Sequence, residues 1–529
     1  QGGVRRVGLF FGSERLRPLA SRACVASESG RTSTSRLRAS AGRTTAMASL
    51  IGAGQGGSSP AVHISCEFDG GNIEVIDSTD PYGAGLGLRV RKDIYTELEK
   101  KAHCQWFYFK AVDSRRAAKF RIVNASKCSF PDAWEGTTVC FSTDREVWHR
   151  ALDTDYDKEK GELAWSWPPA AAAAHVFFAF FAPFSWERHL SLIQRAALSP
   201  HATARVIGAT LDGRDLDVVT VGTGPLQAWA IHRQHPGESQ AEFYAEGLID
   251  RLLDGDDAIA RTVRAAYTFH VVPNVNPDGS IRGHLRTNAR GCNLNREWAP
   301  TGNYAAPTLE RSPEVYHVLR VMDETGVDLF VDVHGDEEIP LNFVSGMEGC
   351  PNWGPRLEAL QGAFVNAYKR ANPDFQTEIS YEPDPPGGGN MCIASNQVAT
   401  RFNCLAVTME QPFKDNAGAP DPERGWTPQK CARLGASLLE VAAYVAPLLR
   451  ADGAFYATMP AADAYVRPVE GSARPTVHRA AGYVYQAATA KIQELDKLLG
   501  DAERQCAALR LQRANLAPEE DAASDEATA

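Results

Sequence analysis

The sequence predicts an α/β fold, a mostly parallel or mixed sheet covered by helices, preceded by an all-β sandwich domain. Two changes of pattern along the 529 residues indicate this division. Over residues 62–190, short runs rich in aromatic and β-branched residues are separated by turns, which is typical of a sandwich. Over residues 191–449, apolar runs that suit buried strands alternate with amphipathic helical segments. A chain of this length is expected to hold two or three domains.

The two ends of the chain differ from these domains in composition. Nine arginines but only two acidic residues lie in the first fifty positions, so residues 1–61 are interpreted as a disordered leader. It is either an organelle transit peptide or untranslated sequence, in which case Met47 is the true start. Residues 450–529 are interpreted as a linker, a helix and an acidic, disordered tail.

The sandwich region contains no obvious cluster of chemically competent residues. Its predicted strands are 85–90, 105–112, 119–125, 137–143, 162–167 and 175–182. The last of them contains the most apolar run of the chain, Val176–Ala182. A helix that spans a membrane needs about 20 apolar residues, so this run is interpreted as a buried strand and no membrane contact is predicted.

Composition and cysteine usage narrow the functional classes. The formal net charge of −10 gives no broad basic surface for nucleic acid. The eleven cysteines are scattered and form no C-x-x-C pair. Free thiols in a reducing compartment fit this pattern better than a disulfide framework, which favours the cytoplasm unless the leader is a transit peptide.

Polar and ionisable residues gather where the predicted strands of the α/β region end. These strands are 226–232, 266–272, 328–334 and 404–410, and predicted helices at 239–253 and 312–326 lie between them. In an open α/β sheet, ligands bind beyond the carboxyl ends of the strands. We therefore expect a functional site at this edge of the sheet.

A metal site is the first candidate at this edge. His235 and Glu238 stand at H-x-x-E spacing in a Pro-Gly loop, and His334 closes a strand 96 residues after Glu238. Two histidines and one carboxylate leave a fourth position open, which is typical of a hydrolytic zinc site. The motif H-x-x-E alone is weak, and His232 competes for the ligand position, although its place within a strand favours a core role.

Further segments follow in a fixed order between residues 208 and 413: GATLDGRDLDVVTVG, HPGES, NPDG, GCNLNREW, DVHGDEE and TMEQPF. Together they resemble the M14 family of zinc carboxypeptidases. The similarity is strongest to the cytosolic carboxypeptidases, whose β-sandwich domain precedes the catalytic domain. The resemblance covers roughly residues 62–449. It implies one Zn²⁺ per chain on His235, Glu238 and His334.

The same resemblance implies roles for four more residues. It assigns Asn295 and Arg296 to the terminal carboxylate of the substrate, Arg286 to the scissile carbonyl, and Glu410 to general base and then general acid catalysis. The residue types suit these roles, because a guanidinium binds a carboxylate bidentately. A glutamate at the end of an apolar strand is also partly desolvated, so its pKa should rise.

Two positions depart from the family pattern. Many members present a tyrosine from a mobile loop shortly before the catalytic glutamate, whereas Tyr381 is the nearest candidate here and precedes a Pro/Gly-rich run that is interpreted as a flexible lid. Arg401 is a candidate for binding an acidic C-terminal side chain, and a surface salt bridge is the alternative interpretation.

The predicted function is therefore removal of C-terminal residues from peptides or proteins. Kinship with the cytosolic group favours glutamate, including glutamate on tubulin-like tails. One alternative is a zinc amidohydrolase of the aspartoacylase or desuccinylase kind, which uses a similar ligand set. Another is a non-catalytic partner-binding protein that keeps the fold.

Overall fold

The computed structural model describes residues 62–79, 83–97, 99, 101–112, 118–167, 175–299 and 306–451. The predictions for the leader at 1–61 lie outside the described residues. Those for the C-terminal linker, helix and acidic tail lie outside them as well, apart from residues 450 and 451.

The N-terminal region contains two five-stranded sheets. Its strands are β1 His63–Ser65, β2 Glu74–Asp77, β3 Leu86–Arg89, β4 Tyr108–Val112, β5 Ala118–Ile122, β6 Val139–Ser142, β7 His149–Ala151, β8 Asp155–Asp157, β9 Glu162–Trp167 and β10 His175–Ala179. Short 3₁₀ turns lie at Ala125–Lys127 and Pro131–Trp134. One sheet has the order β1-β4-β10-β6-β7 and the other β2-β3-β5-β9-β8, which confirms the predicted all-β domain.

Aromatic side chains from both sheets form the core of this β domain. Alternate residues of β9 are buried, as expected for a strand with one face in the core. Phe120 and Trp165 of one sheet stack with ring centroids 5.5 Å apart. Phe120 also meets Phe178 of the other sheet at 4.8 Å, and Phe178 lies 5.5 Å from Phe109. Such aromatic pairs add about 0.5–1.5 kcal/mol each beyond burial of their area.

The following region is built on a seven-stranded mixed sheet. Its strands are β11 Ala202–Ala209, β12 Asp215–Val221, β13 Leu226–His232, β14 Tyr267–Val272, β15 Leu329–Val333, β16 Phe343–Ser345 and β17 Leu405–Glu410, in the order β11-β12-β14-β13-β15-β17-β16. The four inner strands are parallel, and the outer ones pair antiparallel. The inner strands coincide with the four predicted runs, so the carboxyl ends of these strands meet at one edge.

Helices cover this sheet. They are α1 Trp186–Leu198, α2 Gln240–Leu253, α3 Ala258–Ala266, α4 Pro277–Arg282, α5 Pro313–Thr325, α6 Pro355–Ala371, α7 Ala394–Phe402, α8 Pro428–Ala436 and α9 Leu438–Val445, with a 3₁₀ turn at Leu294–Arg296. Helices α2 and α8 approach closely through Gly247 and Gly435, where an added Cβ would lie 2.0 Å from a backbone oxygen of the other helix. Of the described helices, none is long and apolar enough to cross a membrane.

The β domain is joined to the α/β domain by buried contacts just after β17. The Arg150 guanidinium donates to the carbonyl oxygens of Phe413 and Trp426 at 3.0 and 2.8 Å. Lys414 donates in return to two carbonyl oxygens of the β domain, at 3.0 and 2.7 Å, and burial lowers its pKa to about 8. The rings of Phe180 and Phe413 stack with centroids 4.5 Å apart. The segment that follows β17 is therefore fixed by the β domain.

Candidate active site

Three predicted metal ligands meet at the carboxyl edge of the inner strands. The Nδ1 atom of His235 lies 2.7 Å from one carboxylate oxygen of Glu238, and Nδ1 of His334 lies 2.8 Å from the other. The two Nδ1 atoms are 3.2 Å apart. One ligand atom from each residue falls within 4.8 Å of the others, and all three residues are buried. The arrangement offers one ion two imidazole nitrogens and a carboxylate.

The far side of each histidine ring has its own partner. His235 Nε2 lies 3.0 Å from Oδ1 of Asn293, and His334 Nε2 lies 2.9 Å from Oδ2 of Asp332. An oxygen acceptor at Nε2 holds the proton there and leaves the lone pair of Nδ1 for a metal. Two neutral imidazoles with a carboxylate are the ligand set of catalytic zinc. Neither Asn293 nor Asp332 was among the predicted site residues, because no motif in their segments marks them as partners of a metal ligand.

The Arg233 side chain holds the loop that carries His235 and Glu238. Arg233 has a left-handed backbone, with φ of 58°, which turns the chain out of β13. Its guanidinium donates to the Pro236 carbonyl oxygen at 2.9 Å and to the Glu242 carboxylate at 2.7 Å. A non-glycine residue in this conformation persists only where its surroundings hold it. The Arg233 contacts thus set the direction of the ligand loop.

Glu242, which binds Arg233, also belongs to a buried network of charged side chains. The other oxygen of Glu242 lies 2.7 Å from Nδ1 of His189, a residue of α1, and Nε2 of His189 lies 3.3 Å from Asp217 of β12. Burial alone would lower the pKa of His189, but the hydrogen bonds and charges of both carboxylates raise it to about 9. His189 is therefore held as a cation between two anions.

His232, the competing ligand, belongs to the core. Its Nδ1 lies 2.9 Å from the Val272 carbonyl oxygen, and the residue is fully buried at the end of β13. Burial lowers its pKa to about 3. This confirms the core role that its position within a strand predicted.

Glu410 is the last residue of β17 and faces the metal ligands across one pocket. It is 7% exposed, and among the described residues its Oε2 has no hydrogen-bonding partner. Burial raises its pKa well above the ordinary value, and the charge of Glu238 adds to this shift. A carboxylate with a raised pKa and a free oxygen can take up a proton and release it again.

The pocket around these residues has a volume of about 680 Å³ and is open to solvent on one side. It is lined by the three metal ligands, Glu410 and three further predicted residues, Arg286, Asn295 and Arg296. The guanidinium of Arg286 makes no hydrogen bond to any described residue. The Asn295 amide is partly engaged, because its nitrogen lies 3.3 Å from His334 Nε2 and its oxygen accepts the Ala394 N–H at 2.8 Å.

The β domain contributes a wall of the same pocket through Glu99, Lys101, His103 and Phe130. No cluster of chemically competent residues was singled out in this domain from the sequence, so these four pocket residues were not predicted. The ammonium group of Lys101 lies 5.6 Å from the centre of the Phe130 ring. No local pattern marks these residues, because only the packing of the two domains brings them to the pocket.

Arg401 lies elsewhere, near the end of α7. Its guanidinium forms two hydrogen bonds, at 2.6 and 2.7 Å, with the Asp323 carboxylate of α5, and it is not among the residues that line the pocket. The predicted binding of an acidic side chain does not fit this position, and the surface salt bridge is the correct interpretation. Tyr381 does line the pocket, and its hydroxyl donates to Asp336 at 2.5 Å.

Known proteins share both domains. Residues 64–181 match the cytosolic carboxypeptidase N-terminal domain, and residues 190–422 match the zinc carboxypeptidase family. An uncharacterized protein of Zymomonas mobilis is 41% identical over 74% of this chain and 98% of its own length. A metallo-carboxypeptidase structure from Pseudomonas aeruginosa, in complex with (2-guanidinoethylmercapto)succinic acid, is 38% identical with a TM-score of 0.68, covering 73% of this chain and all of that one.

The chain belongs to the zinc carboxypeptidase family. Its metal site of His235, Glu238 and His334 is accordingly a zinc site, and the protein is a metallocarboxypeptidase. It is neither the amidohydrolase nor the non-catalytic binding protein considered above. Mouse cytosolic carboxypeptidase 3 is a more distant relative, 28% identical over 53% of this zinc carboxypeptidase and only 30% of the mouse protein.

Proposed function

We propose that the protein cleaves the last peptide bond of a chain, with Glu410 as general base and acid and with Arg286, Asn295 and Arg296 binding substrate. The observation that carries this proposal is the free carboxylate oxygen of Glu410, buried in the pocket that also contains the zinc ligands. A zinc ion bound there would polarise the scissile carbonyl and acidify the attacking water. Glu410 takes the proton of that water and passes it to the leaving amine.

The arginines have separate tasks in this proposal. The Arg286 guanidinium makes no hydrogen bond to a described residue, so it is available to donate to the carbonyl oxygen as negative charge builds there. Arg296 with the free N–H of Asn295 binds the terminal carboxylate, because a guanidinium matches the two oxygens of a carboxylate. Recognition of that carboxylate restricts cleavage to chain ends.

The preferred C-terminal side chain follows from the charge of the pocket. With Arg286 and Arg296 assigned to main-chain groups, Lys101 is the remaining lysine or arginine of the described lining for an acidic side chain. Five carboxylates line the same pocket besides the zinc ligand Glu238, the proposed base Glu410, and Asp336 and Glu337, whose pKa is raised by burial: Glu99, Glu338, Glu348, Glu382 and Asp384. Like charges repel, so we propose a neutral or basic C-terminal residue. The guanidine-bearing ligand of the Pseudomonas aeruginosa relative supports a basic one.

Removal of glutamate, including glutamate on tubulin-like tails, is the alternative that kinship with the cytosolic carboxypeptidases favours. Its one sequence support was Arg401, which lies outside the pocket. If glutamate were preferred, Lys101 would have to bind its side chain. We also propose a location in the cytoplasm, which is supported by the nine described cysteines, since all are buried and none of them forms a disulfide.

The test uses peptides that are identical except for a C-terminal leucine, lysine or glutamate, with products measured by mass. We expect single-residue loss, no cleavage of the C-terminal amides, and a kcat/KM at least tenfold lower for glutamate. Glu410→Gln should lower kcat by about 10²–10⁴-fold, whereas Glu324→Gln, a half-exposed carboxylate of α5, serves as the matched control. Internal cleavage would contradict the proposal. A preference for glutamate that Lys101→Met abolishes would establish the alternative.

A further inference from the structure

One carboxylate of the β domain holds the loop that carries Arg286. The Oδ1 atom of Asp93 accepts the backbone N–H of Leu285 at 2.7 Å. Its Oδ2 accepts the N–H of Arg286 at 2.9 Å, and both the N–H and the hydroxyl of Thr287 at 3.0 Å. Asp93 is 5% exposed, so these four hydrogen bonds are formed away from water, where charge-assisted bonds are strong.

The loop is held at other points as well, because the Leu285 carbonyl oxygen accepts the N–H of Gly237 at 2.9 Å and Thr287 forms an isolated bridge with Asn293. The loop runs from the end of α4 to the 3₁₀ turn at Leu294–Arg296 and contains no helix and no named strand. Because Asp93 binds the amides of Arg286 and of both its neighbours, it fixes the backbone from which the Arg286 side chain departs. The guanidinium makes no hydrogen bond to a described residue, so this backbone determines where it can reach within the pocket.

The β domain secures both ends of the same loop. At the start, the Asn72 amide donates to the Gly283 carbonyl oxygen at 2.9 Å. Towards the end, Glu99 accepts the N–H of Asn293 at 3.0 Å, and Asn293 is the outer partner of His235. The backbone N–H of Asp93 is itself bonded to the carbonyl oxygen of His103 at 2.8 Å. Asp93 is thus tied to a residue that lines the pocket.

We propose that Asp93 is a positioning residue for Arg286, through which the β domain takes part in catalysis. The inference rests on the proposed role of Arg286 at the scissile carbonyl. A displacement of about 1 Å in a group that binds the transition state costs roughly 10²-fold in rate. Loss of the Asp93 contacts therefore lowers kcat more than it raises KM, because the terminal carboxylate is bound by other residues.

The test is a double-mutant cycle in the full chain with its zinc, measuring kcat, KM, metal content and melting temperature. Asp93→Asn keeps the shape but loses acceptor capacity for the backbone amides, and we expect kcat/KM to fall about 10–100-fold. In an Arg286→Ala background, the same change should cost less than about threefold. Asp69→Asn is the matched control, since Asp69 accepts the N–H of Trp186 at 2.6 Å and so also joins the two domains, without a hydrogen bond to the loop.

The outcomes separate the two proposals. If Asp93→Asn lowers activity equally with and without Arg286, or if Asp69→Asn lowers it as much, Asp93 is only an interdomain anchor and the inference fails. If Arg286→Ala retains full activity, the proposed role of Arg286 fails first and the inference with it. If Asp93→Asn does not fold, Thr287→Val provides a second test, because it removes one of the four hydrogen bonds. It should give a smaller loss of kcat that again disappears in the Arg286→Ala background.

Discussion

Replacing His189 by glutamine is expected to remove a pH-dependent part of the stability of the α/β domain. His189 lies between Glu242 and Asp217 with both ring nitrogens in contact with carboxylates. Its pKa of about 9 in the folded protein compares with an ordinary value of 6.5. Folding therefore favours the protonated ring, and the stabilisation is complete below about pH 6.5 and is lost as the pH rises through about 9.

The magnitude follows from that difference. At about 1.4 kcal/mol per pH unit, the change from 6.5 to about 9 corresponds to about 3 kcal/mol of unfolding free energy. The side chain of His189 is 2% exposed, so solvent screening does not reduce this value appreciably. Unfolding entropies of about 2 cal/mol/K per residue over the roughly 370 described residues convert it to about 4 °C in melting temperature.

The assay is thermal unfolding of the natural protein and of His189→Gln at pH 6.5 and pH 9.5, with the zinc concentration held constant. Lys414 and Glu314, each with a pKa of about 8, titrate in the same window, but their contributions are common to both proteins and cancel in the difference. The natural protein should melt at a higher temperature than His189→Gln at pH 6.5, and we expect this difference to be about 4 °C smaller at pH 9.5. His201→Gln, a change at an exposed histidine, is the control.

The reasoning would be refuted if the difference in melting temperature between the natural protein and His189→Gln were the same at both pH values, within about 1 °C. It would mean that His189 is not held as a cation, and that Glu242 is neutralised chiefly by Arg233. A difference in melting temperature that increases as the pH rises would be a stronger contradiction, because it would require a neutral imidazole in the folded state.

Three further predictions concern the zinc site, the surface and the helix packing. Asn293→Ala should weaken zinc binding about 10–100-fold, because His235 loses its outer hydrogen bond, and this can be measured by competition with a chromogenic chelator. Arg401→Ala should leave the order of preference among C-terminal residues unchanged and cost less than about 1 kcal/mol by denaturant unfolding, since it removes an exposed ion pair with Asp323. Gly247→Ala should cost several kcal/mol or prevent folding, because its Cβ would lie 2.0 Å from the backbone of α8.

The parts of the fold that the sequence predicted are those with strong local patterns. The four inner strands are continuous apolar runs because both of their faces are buried. By contrast, the outer strand β11 has mostly exposed or half-buried residues, and it was not predicted as a strand. Arg401 shows a second limit. Its distance of nine residues from Glu410 suggested the pocket, but α7 directs its side chain to Asp323 instead.

Within the pocket, the zinc ligands and the proposed catalytic residues were accessible to sequence reasoning, whereas the residues that hold them were not. The motif H-x-x-E and the ends of the strands marked the zinc ligands and Glu410. Asp93 and Glu99 each contact residues more than 190 positions away in the chain. No spacing rule connects such positions, because the packing of two domains alone decides that they meet.

The Arg150 contacts have a consequence for the order in which the molecule is made. This arginine belongs to β7, yet its acceptors at Phe413 and Trp426 follow it by 263 and 276 residues. At about 5–20 residues per second, a ribosome needs roughly 13–53 s to add 263 residues. During that time the newly made β domain presents a guanidinium and the Phe180 ring to solvent or to a chaperone. Completion of the active-site strand and closure of this surface therefore occur together, late in synthesis.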